Sequence, residues 1–318
     1  MKYAIVFPGQ GAQQVGMGKE FHDAFSAAKE IFESANKILG YDIKRLIFEG
    51  PEESLKQTIN TQPAVFVTSV ACLEATKTKY PKILEGSICS AGHSLGEYTA
   101  LYAAGVFDFS TGLQLVQKRA EFIEDCCQKT PGTMAAIVGL DETKLAGLCR
   151  EMQSQNGGVA ELVNFNAPGQ IVISGSLNTV QAVVLNAKER GALKAIPLAV
   201  SGAFHSSLMN EASQKMQKEL EGYNFRNPDF SVVTNVDAQP SKTSEEIKSK
   251  LAGQINRPVL WEKSVKAMIE SGADAFIEIG PGNILTGLAK RIDKRIKTLN
   301  VSDIATLDRT IAELTSAV

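Results

Sequence analysis

Ser87-Ile88-Cys89-Ser90-Ala91-Gly92-His93-Ser94-Leu95-Gly96 joins a short β-prone run, Ser87 to Ala91, to a GxSxG pentapeptide, and a run of helix formers follows. This is how a strand-to-helix nucleophile elbow is spelled, with a serine exposed on a sharp turn for covalent catalysis. An ordinary glycine-rich turn is spelled the same way, so Ser94 needs a partner base. The chain has only 3 histidines from which to draw one. His93 adjoins Ser94 inside so tight a turn that its ring cannot easily fold back onto its neighbour's hydroxyl. His22 lies in a helical stretch, Gly18 to Leu39, with no other catalytic residue type close in sequence. His205 remains as the general base. It sits in Ser201-Gly202-Ala203-Phe204-His205-Ser206 after the β-prone run Leu193 to Val200, the setting of a loop at a strand end. An isolated histidine is often structural, and it is the conjunction with the elbow that favours chemistry.

Working outward, Tyr3 to Phe7 is a continuous apolar run ending in Pro8-Gly9-Gln10-Gly11, which reads as a buried strand entering a loop and then a helix. The loop resembles a phosphate cradle only superficially. Gln14 stands where GxGxxG needs its third glycine, and Met17 stands where a P-loop needs lysine. Between about residues 133 and 198 the pattern runs β (133–139), α (141–153), β (159–165), β (169–174), α (176–190), β (193–198). That succession is the ferredoxin-like βαββαβ unit. Asn166-Ala167-Pro168-Gly169 forms its hairpin turn, and Asp141 and Ser176 occupy helix N-cap positions. The fold class expected is α/β: a large discontinuous domain, residues 1–130 and 199–318, carrying a ferredoxin-like insertion at 131–198. The large domain resumes with strand signals at Ser231 to Asn235 and Ala275 to Gly282, where Gly280-Pro281-Gly282 leads into a helix. Ser94 and His205 flank the insertion, which puts the cleft between the two domains.

The 318 residues suffice for one large and one smaller domain, and the ordinary hydrophobic and charged fractions describe a soluble globular protein. A net charge of −2 argues against general nucleic-acid binding, which draws its affinity from neutralising many phosphates. The 5 cysteines are odd in number and scattered, with Cys126 and Cys127 adjacent, so neither a disulfide framework nor a CxxC metal pair is expected. A reducing cytoplasm suits them. Met1 to Phe7 lacks the pattern of a signal peptide. Ala64 to Leu73, among the longest apolar stretches, is interrupted by Thr68 and Ser69 and is too short to span a bilayer.

Around Arg119, the residues Leu113, Val116, Ala120 and Ile123 form one apolar stripe at helical spacing. Arg119 shares a row with Leu115 and Phe122 on the flank of that stripe, whereas Lys118 lines up with Gln114 and Glu121. Two readings stand at this point. Such an arginine snorkels to water or pairs with a structural carboxylate, or its guanidinium fork awaits a substrate carboxylate.

Five spaced motifs together resemble the malonyl-CoA:acyl carrier protein transacylase family, the acyltransferases of fatty acid and polyketide synthesis. They are Phe7-Pro8-Gly9-Gln10-Gly11-Ala12-Gln13, Gly92-His93-Ser94-Leu95-Gly96-Glu97, Gln117-Lys118-Arg119, Gly202-Ala203-Phe204-His205-Ser206 and Gln254-Ile255-Asn256-Arg257-Pro258-Val259. The resemblance runs in family order from residue 6 to about residue 290. It implies an α/β-hydrolase-like large domain with a ferredoxin-like insertion, in agreement with the rhythm above. It implies that Ser94 takes malonyl from malonyl-CoA while His205 accepts its proton, and that the phosphopantetheine thiol of acyl carrier protein resolves the acyl-enzyme in a ping-pong cycle. The backbone N–H groups of Gln10 and Leu95 are implied as the oxyanion hole, Arg119 and Phe204 as substrate-binding residues, and Gln254 as the residue orienting His205 through a neutral oxygen. The resemblance further implies no metal and no organic cofactor, and a cytoplasmic enzyme working as a monomer.

One position departs from the family pattern. Methionine commonly stands four residues after the malonate-binding arginine, and here Ile123 stands there, of similar bulk but stiffer at χ1. The wall near the malonyl α-carbon is therefore expected to be less adaptable, while Phe204 matches the motif form associated with malonyl rather than methylmalonyl. The family's carrier is acidic, so a cationic patch near the cleft mouth is expected to steer it. Lys290, Arg291, Lys294, Arg295 and Lys297 are the candidates, against the alternative of a solvated helix face. Two other functions compete. A serine hydrolase such as a thioesterase uses the same elbow but normally orients its histidine with a carboxylate, and a non-catalytic carrier-binding module has no need of both Ser94 and His205.

Overall fold

Tyr3–Phe7, apolar at every position, is buried along its whole length as strand β1 of a computed structural model that describes residues 1–200 and 202–316. Ser201 of the histidine motif and residues 317 and 318 lie outside the described residues. Strand β2, Ser87–Gly92, pairs parallel with β1 and delivers the GxSxG turn at its carboxyl end. Then come β3 (Gly132–Val138), β4 (Ala160–Ala167), β5 (Gln170–Ser176), β6 (Lys194–Pro197), β7 (Ser231–Val233), β8 (Pro240–Ser241), β9 (Ala275–Ile279) and β10 (Lys297–Val301). They form two sheets, in the orders β10-β9-β1-β2-β7-β8 and β4-β5-β3-β6. The first is parallel except for β8, and the second is antiparallel throughout.

A parallel sheet requires crossover connections and is covered by helices on both faces, so its strands are apolar in both directions. β1 shows this residue by residue. Tyr3, Ile5 and Phe7 pack with Phe32 and Phe66 on one face, and Ala4 and Val6 pack with Trp261 and Phe276 on the other. The helix Thr58–Lys79 contains the apolar stretch noted above; it is buried nearly all round through its first 19 residues, as a helix inside a core must be. Among the described residues, no helix is long and apolar enough to cross a membrane. The stretch Gly18 to Leu39, expected as one helix, is two, Lys19–Ala24 and Ser26–Leu39, because Phe25 adopts an extended conformation between them.

The β-α-β-β-α-β succession runs as β3, the helix Glu142–Asn156, β4, β5, the helix Leu177–Ala187 and β6. Asp141 caps its helix by accepting from Lys144 N. Ser176 holds the N-cap conformation but turns its hydroxyl to accept from Val159 N instead. Alternation divides the small sheet as it divides the large one. Ala135 and Ile137 face the two helices, whereas Met134 on β3 points the other way with Val163 and Val172, toward Leu198, Val200 and Phe204. The two sheets are tied by the segment after Pro258: Phe165 N donates to Val259 O and Val259 N to Val163 O. The cleft lies at this junction.

Candidate active site

The elbow exists because two glycines allow it. A Cβ on Gly92 would overlap the Gly96 carbonyl, and one on Gly96 would overlap the Phe7 carbonyl. That close passage forces Ser94 to a φ of 49°, a left-handed conformation that non-glycine residues seldom adopt. Asn235, from the turn after β7, braces the strain. Its Oδ1 accepts from Ser94 N at 2.7 Å and its Nδ2 donates to Gly92 O at 2.7 Å.

His205 also has a positive φ, 62°, and its ring reaches Ser94: Oγ and Nε2 are 2.7 Å apart. Its Nδ1 faces two carbonyl oxygens, Gln254 O at 2.9 Å and Arg257 O at 3.2 Å. Carbonyls only accept, so Nδ1 carries the proton and Nε2 is free to accept one from Ser94. Burial, and after it the Arg119 cation, hold the imidazole far below its ordinary range, at about 3, so the ring is neutral at working pH. The other histidines take no part in this pair. His93 turns its Nε2 to Asn166 Oδ1 at 2.8 Å, and His22 lies among Phe32 and Phe48 beside Asp23.

Gln254 faces His205 Nδ1 with a neutral oxygen. The neutral oxygen that orients His205 is its main-chain carbonyl, and the side chain is engaged elsewhere. Nε2 donates to Ser94 O at 2.9 Å and to Glu97 Oε2 at 2.8 Å, and Oε1 accepts from Arg119 Nη2 at 3.1 Å.

Arg119, on the helix Phe109–Lys129, neither snorkels nor forms a hydrogen bond with any carboxylate of the described residues; it is only 3% exposed. Nη1 donates to Gln62 Oε1 at 2.6 Å and Nη2 to Ser94 Oγ at 2.9 Å, while Nε has no partner among the described residues. A buried guanidinium is thus held by neutral oxygens, among them the Ser94 hydroxyl. Desolvation lowers its pKa.

Ser94, His205, Arg119 and Gln62 line a cavity of about 110 Å³ between the two sheets. That is room for three or four waters at about 30 Å³ each, which suits a short acyl group. Gln10, Ile123, Phe204 and His205 face it from segments outside the antiparallel sheet, and Met134 and Asn164 from its strands β3 and β4. The backbone N–H groups of Gln10 and Leu95 have no hydrogen-bond acceptor among the described residues, and Gly9 brings the first loop against the elbow, where any Cβ would strike His93 O. A larger groove of about 620 Å³, bordered by Asn210, Gln214, Lys248 and Arg257, shares no lining residue with that cavity. All five cysteines are buried and unpaired, and burial pushes their thiols up, those of Cys89, Cys127 and Cys149 to about 12. Among the described residues no cluster of three or more His, Cys, Asp or Glu side chains could hold a metal ion.

Sequence reading gave no part in the site to Gln62, Glu97, Asn166 or Asn235. Only Glu97 carried a signal, as the acid closing the elbow motif. The basic cluster is not one helix face: its helix ends at Ile292, Arg295 pairs with Asp293, and Lys297 lies in β10 paired with Glu313. Arg291 bonds Gln170 at the start of β5.

The sequence matches the acyl transferase domain family over residues 4–315. It is 43% identical over 316 residues to the malonyl CoA-acyl carrier protein transacylase of Bacillus subtilis (strain 168), over 98% of this chain and 97% of that one. The structure resembles an acyl-carrier-protein-S-malonyltransferase from Bartonella henselae with a TM-score of 0.94 at 36% identity, over 99% of this chain and 100% of that one. It also resembles a malonyl-transacylase solved in complex with its type II PKS acyl-carrier protein, with a TM-score of 0.93 at 39% identity, over 98% and 100% of the two chains.

Proposed function

Since the chain belongs to the acyl transferase family, among its malonyl-CoA:acyl carrier protein transacylases, we propose a mechanism in which Ser94 carries the malonyl group between two thiols. The protein is an acyltransferase that moves malonyl from malonyl-CoA to acyl carrier protein for fatty acid or polyketide synthesis. In the first half-reaction Ser94 Oγ attacks the thioester carbonyl as its proton passes to His205 Nε2. The oxyanion is received by the N–H groups of Gln10 and Leu95, fixed dipoles that need no reorganisation. Collapse breaks the C–S bond, His205 returns its proton to the coenzyme A sulfur, and a malonyl ester remains on Ser94. The phosphopantetheine thiol of the carrier then attacks the ester, giving its proton to His205, which passes it to the departing Ser94 oxygen. The cycle is ping-pong, with no step routed through a metal or organic cofactor.

Arg119 receives the malonyl carboxylate in this scheme, with Ile123 and Phe204 as walls of the acyl cavity. The observation that carries the reading is the double engagement of one oxygen. Ser94 Oγ is 2.7 Å from the base and 2.9 Å from a buried cation, so an acyl group on that oxygen lies beside a guanidinium. A serine hydrolase is disfavoured by the carbonyls, rather than a carboxylate, that face His205 Nδ1.

We read the fold as an α/β-hydrolase-like domain, residues 1–130 and 199–318, with a ferredoxin-like insertion at 131–198. Support comes from the elbow at the end of a parallel strand and from the order β4-β5-β3-β6, which follows the βαββαβ pattern. The Ser94–His205 pair and the Arg119 cation come together within one chain, so the reaction as proposed draws on no second copy. Five unpaired thiols suit the cytoplasm. The test is to incubate the protein with a panel of acyl-CoAs and locate the retained acyl group by intact mass and peptide mapping. Malonyl on Ser94, absent from Ser94→Ala and from every cysteine, is expected; label that persists in Ser94→Ala overturns the mechanism.

A further inference from the structure

Glu97 is a carboxyl group buried to 1% exposure behind the acyl cavity, and the mechanism above does not use it. Its Oε2 accepts from Gln254 Nε2 at 2.8 Å and from Asn235 N at 3.1 Å. Both partners also touch the reacting centre: Gln254 bonds Ser94 O and Arg119, and Asn235 braces the Ser94 turn. A buried charge is tolerated only when something balances it. The guanidinium of Arg119 has neutral hydrogen-bond acceptors only, so its balance comes through space. Glu97 is the carboxylate whose charge acts on it, one glutamine side chain away.

We propose that Glu97 is a positioning and charge-balancing residue for malonyl selection: ionised while the cavity is empty, it balances Arg119 through Gln254, and it takes up a proton from solvent when the malonyl carboxylate replaces it as counter-charge. This rests on the reading that Arg119 binds that carboxylate. The covalent step is unchanged. The ester bond forms, the thioester C–S bond breaks, the serine proton ends on sulfur, and the extra proton ends on Glu97. In each site where Glu97 starts ionised, the net charge of the buried layer is the same before and after, which avoids confining two carboxylates with one cation.

The surroundings favour the exchange. Burial raises the Glu97 carboxyl to about 7, opposed by the hydrogen bonds from Gln254 and Asn235 and by Arg119. Asp237, after β7, repels it, though that aspartate is itself paired with Lys250 at 2.8 Å. Tyr98, its neighbour on the helix Gly96–Ala103, is buried and neutral, its phenol pushed upward. His205 is neutral as well, being lowered to about 3. Glu97 is therefore the group placed to change protonation near neutrality when a second anion arrives.

The experiment is a single turnover of the intact enzyme with malonyl-CoA in weak buffer, following a pH indicator and the acyl-enzyme together. Wild type is expected to take up on the order of half a proton per malonylated site at pH 7, more at pH 8 and less at pH 6. Glu97→Gln, which keeps an oxygen acceptor for Gln254 and Asn235, is expected to form the ester with no uptake. No uptake in wild type at any of the three pH values overturns the proposal, and this measurement needs no variant. Equal uptake in Glu97→Gln overturns it too, by putting the proton elsewhere. Failure of the underlying reading looks different: Arg119→Ala would then keep its preference for malonyl over acetyl, whatever the indicator shows.

Discussion

Arg119→Ala should change which acyl group the enzyme selects, and the structure gives the size of the effect. The guanidinium is 3% exposed and has no carboxylate hydrogen-bond partner among the described residues, so a malonyl carboxylate meets a desolvated cation at close range. Truncating one partner of such a pair costs about 2 to 5 kcal/mol, because the other charge is left buried and unpaired. At about 1.4 kcal/mol per decade this is a loss of roughly 30-fold to several-thousand-fold in kcat/KM for malonyl-CoA. Three neutral oxygens, on Gln62, Ser94 and Gln254, also lose a donor, and that loss falls on every substrate alike. The informative quantity is therefore the ratio of kcat/KM for malonyl-CoA to that for acetyl-CoA, which should fall by at least about 30-fold. Arg119→Lys should recover only part of it, since a point charge cannot make two parallel hydrogen bonds. Proportional losses for both substrates would refute the reasoning and leave Arg119 as a brace of the Ser94 turn.

Gln254→Ala leaves the carbonyl that orients His205 but removes the amide between Glu97 and Arg119, so malonyl transfer should fall more than acetyl transfer; equal falls would show that the side chain serves the base. His205 has a folded pKa, about 3, below its unfolded value of about 6.5. The unfolded chain thus binds the proton first, and stability present above about 6.5 is lost as pH falls toward 3. Relative to His205→Gln, wild type should lose up to about 1.4 kcal/mol more per pH unit across this window; parallel urea midpoints at pH 6, 5 and 4 would contradict it. Reversing Lys290 and Arg291, both exposed, should slow transfer to an acidic carrier at low salt and leave self-acylation from malonyl-CoA intact. Equal carrier rates across a salt series would make the patch irrelevant.

The parts legible in the sequence were those that local physics dictates. β1 could be read to the residue because a strand covered on both faces is apolar throughout, and the elbow because only glycine fits at Gly92 and Gly96. The start of the helix Glu142–Asn156 could be placed through Asp141, whose cap forms within three residues. Strand β10 escaped because Lys297-Thr298-Leu299-Asn300-Val301 is half polar and follows a run of cations, so its charge pattern read as a helix face. The break at Phe25 escaped because no glycine or proline marks it.

The surroundings of Arg119 were illegible for a reason that bears on what the residue does. Gln62 lies 57 positions away and Gln254 135 positions away, and an amide has no charge to betray the pairing. Had Arg119 been held by a carboxylate, the site would be an ion pair already closed, and a substrate carboxylate would have to displace an equal charge. Neutral amide oxygens satisfy the donors of a buried guanidinium without cancelling its charge, so they fix its direction and leave its field for the ligand. The balancing carboxylate stands one layer back, on Glu97, joined to the cation only through Gln254. On the proposed reading, selection of a charged acyl group depends on keeping the compensating anion close enough to stabilise the empty site and too far to occupy the guanidinium fork. Glu97 meets the second condition because the Gln254 amide stands between them.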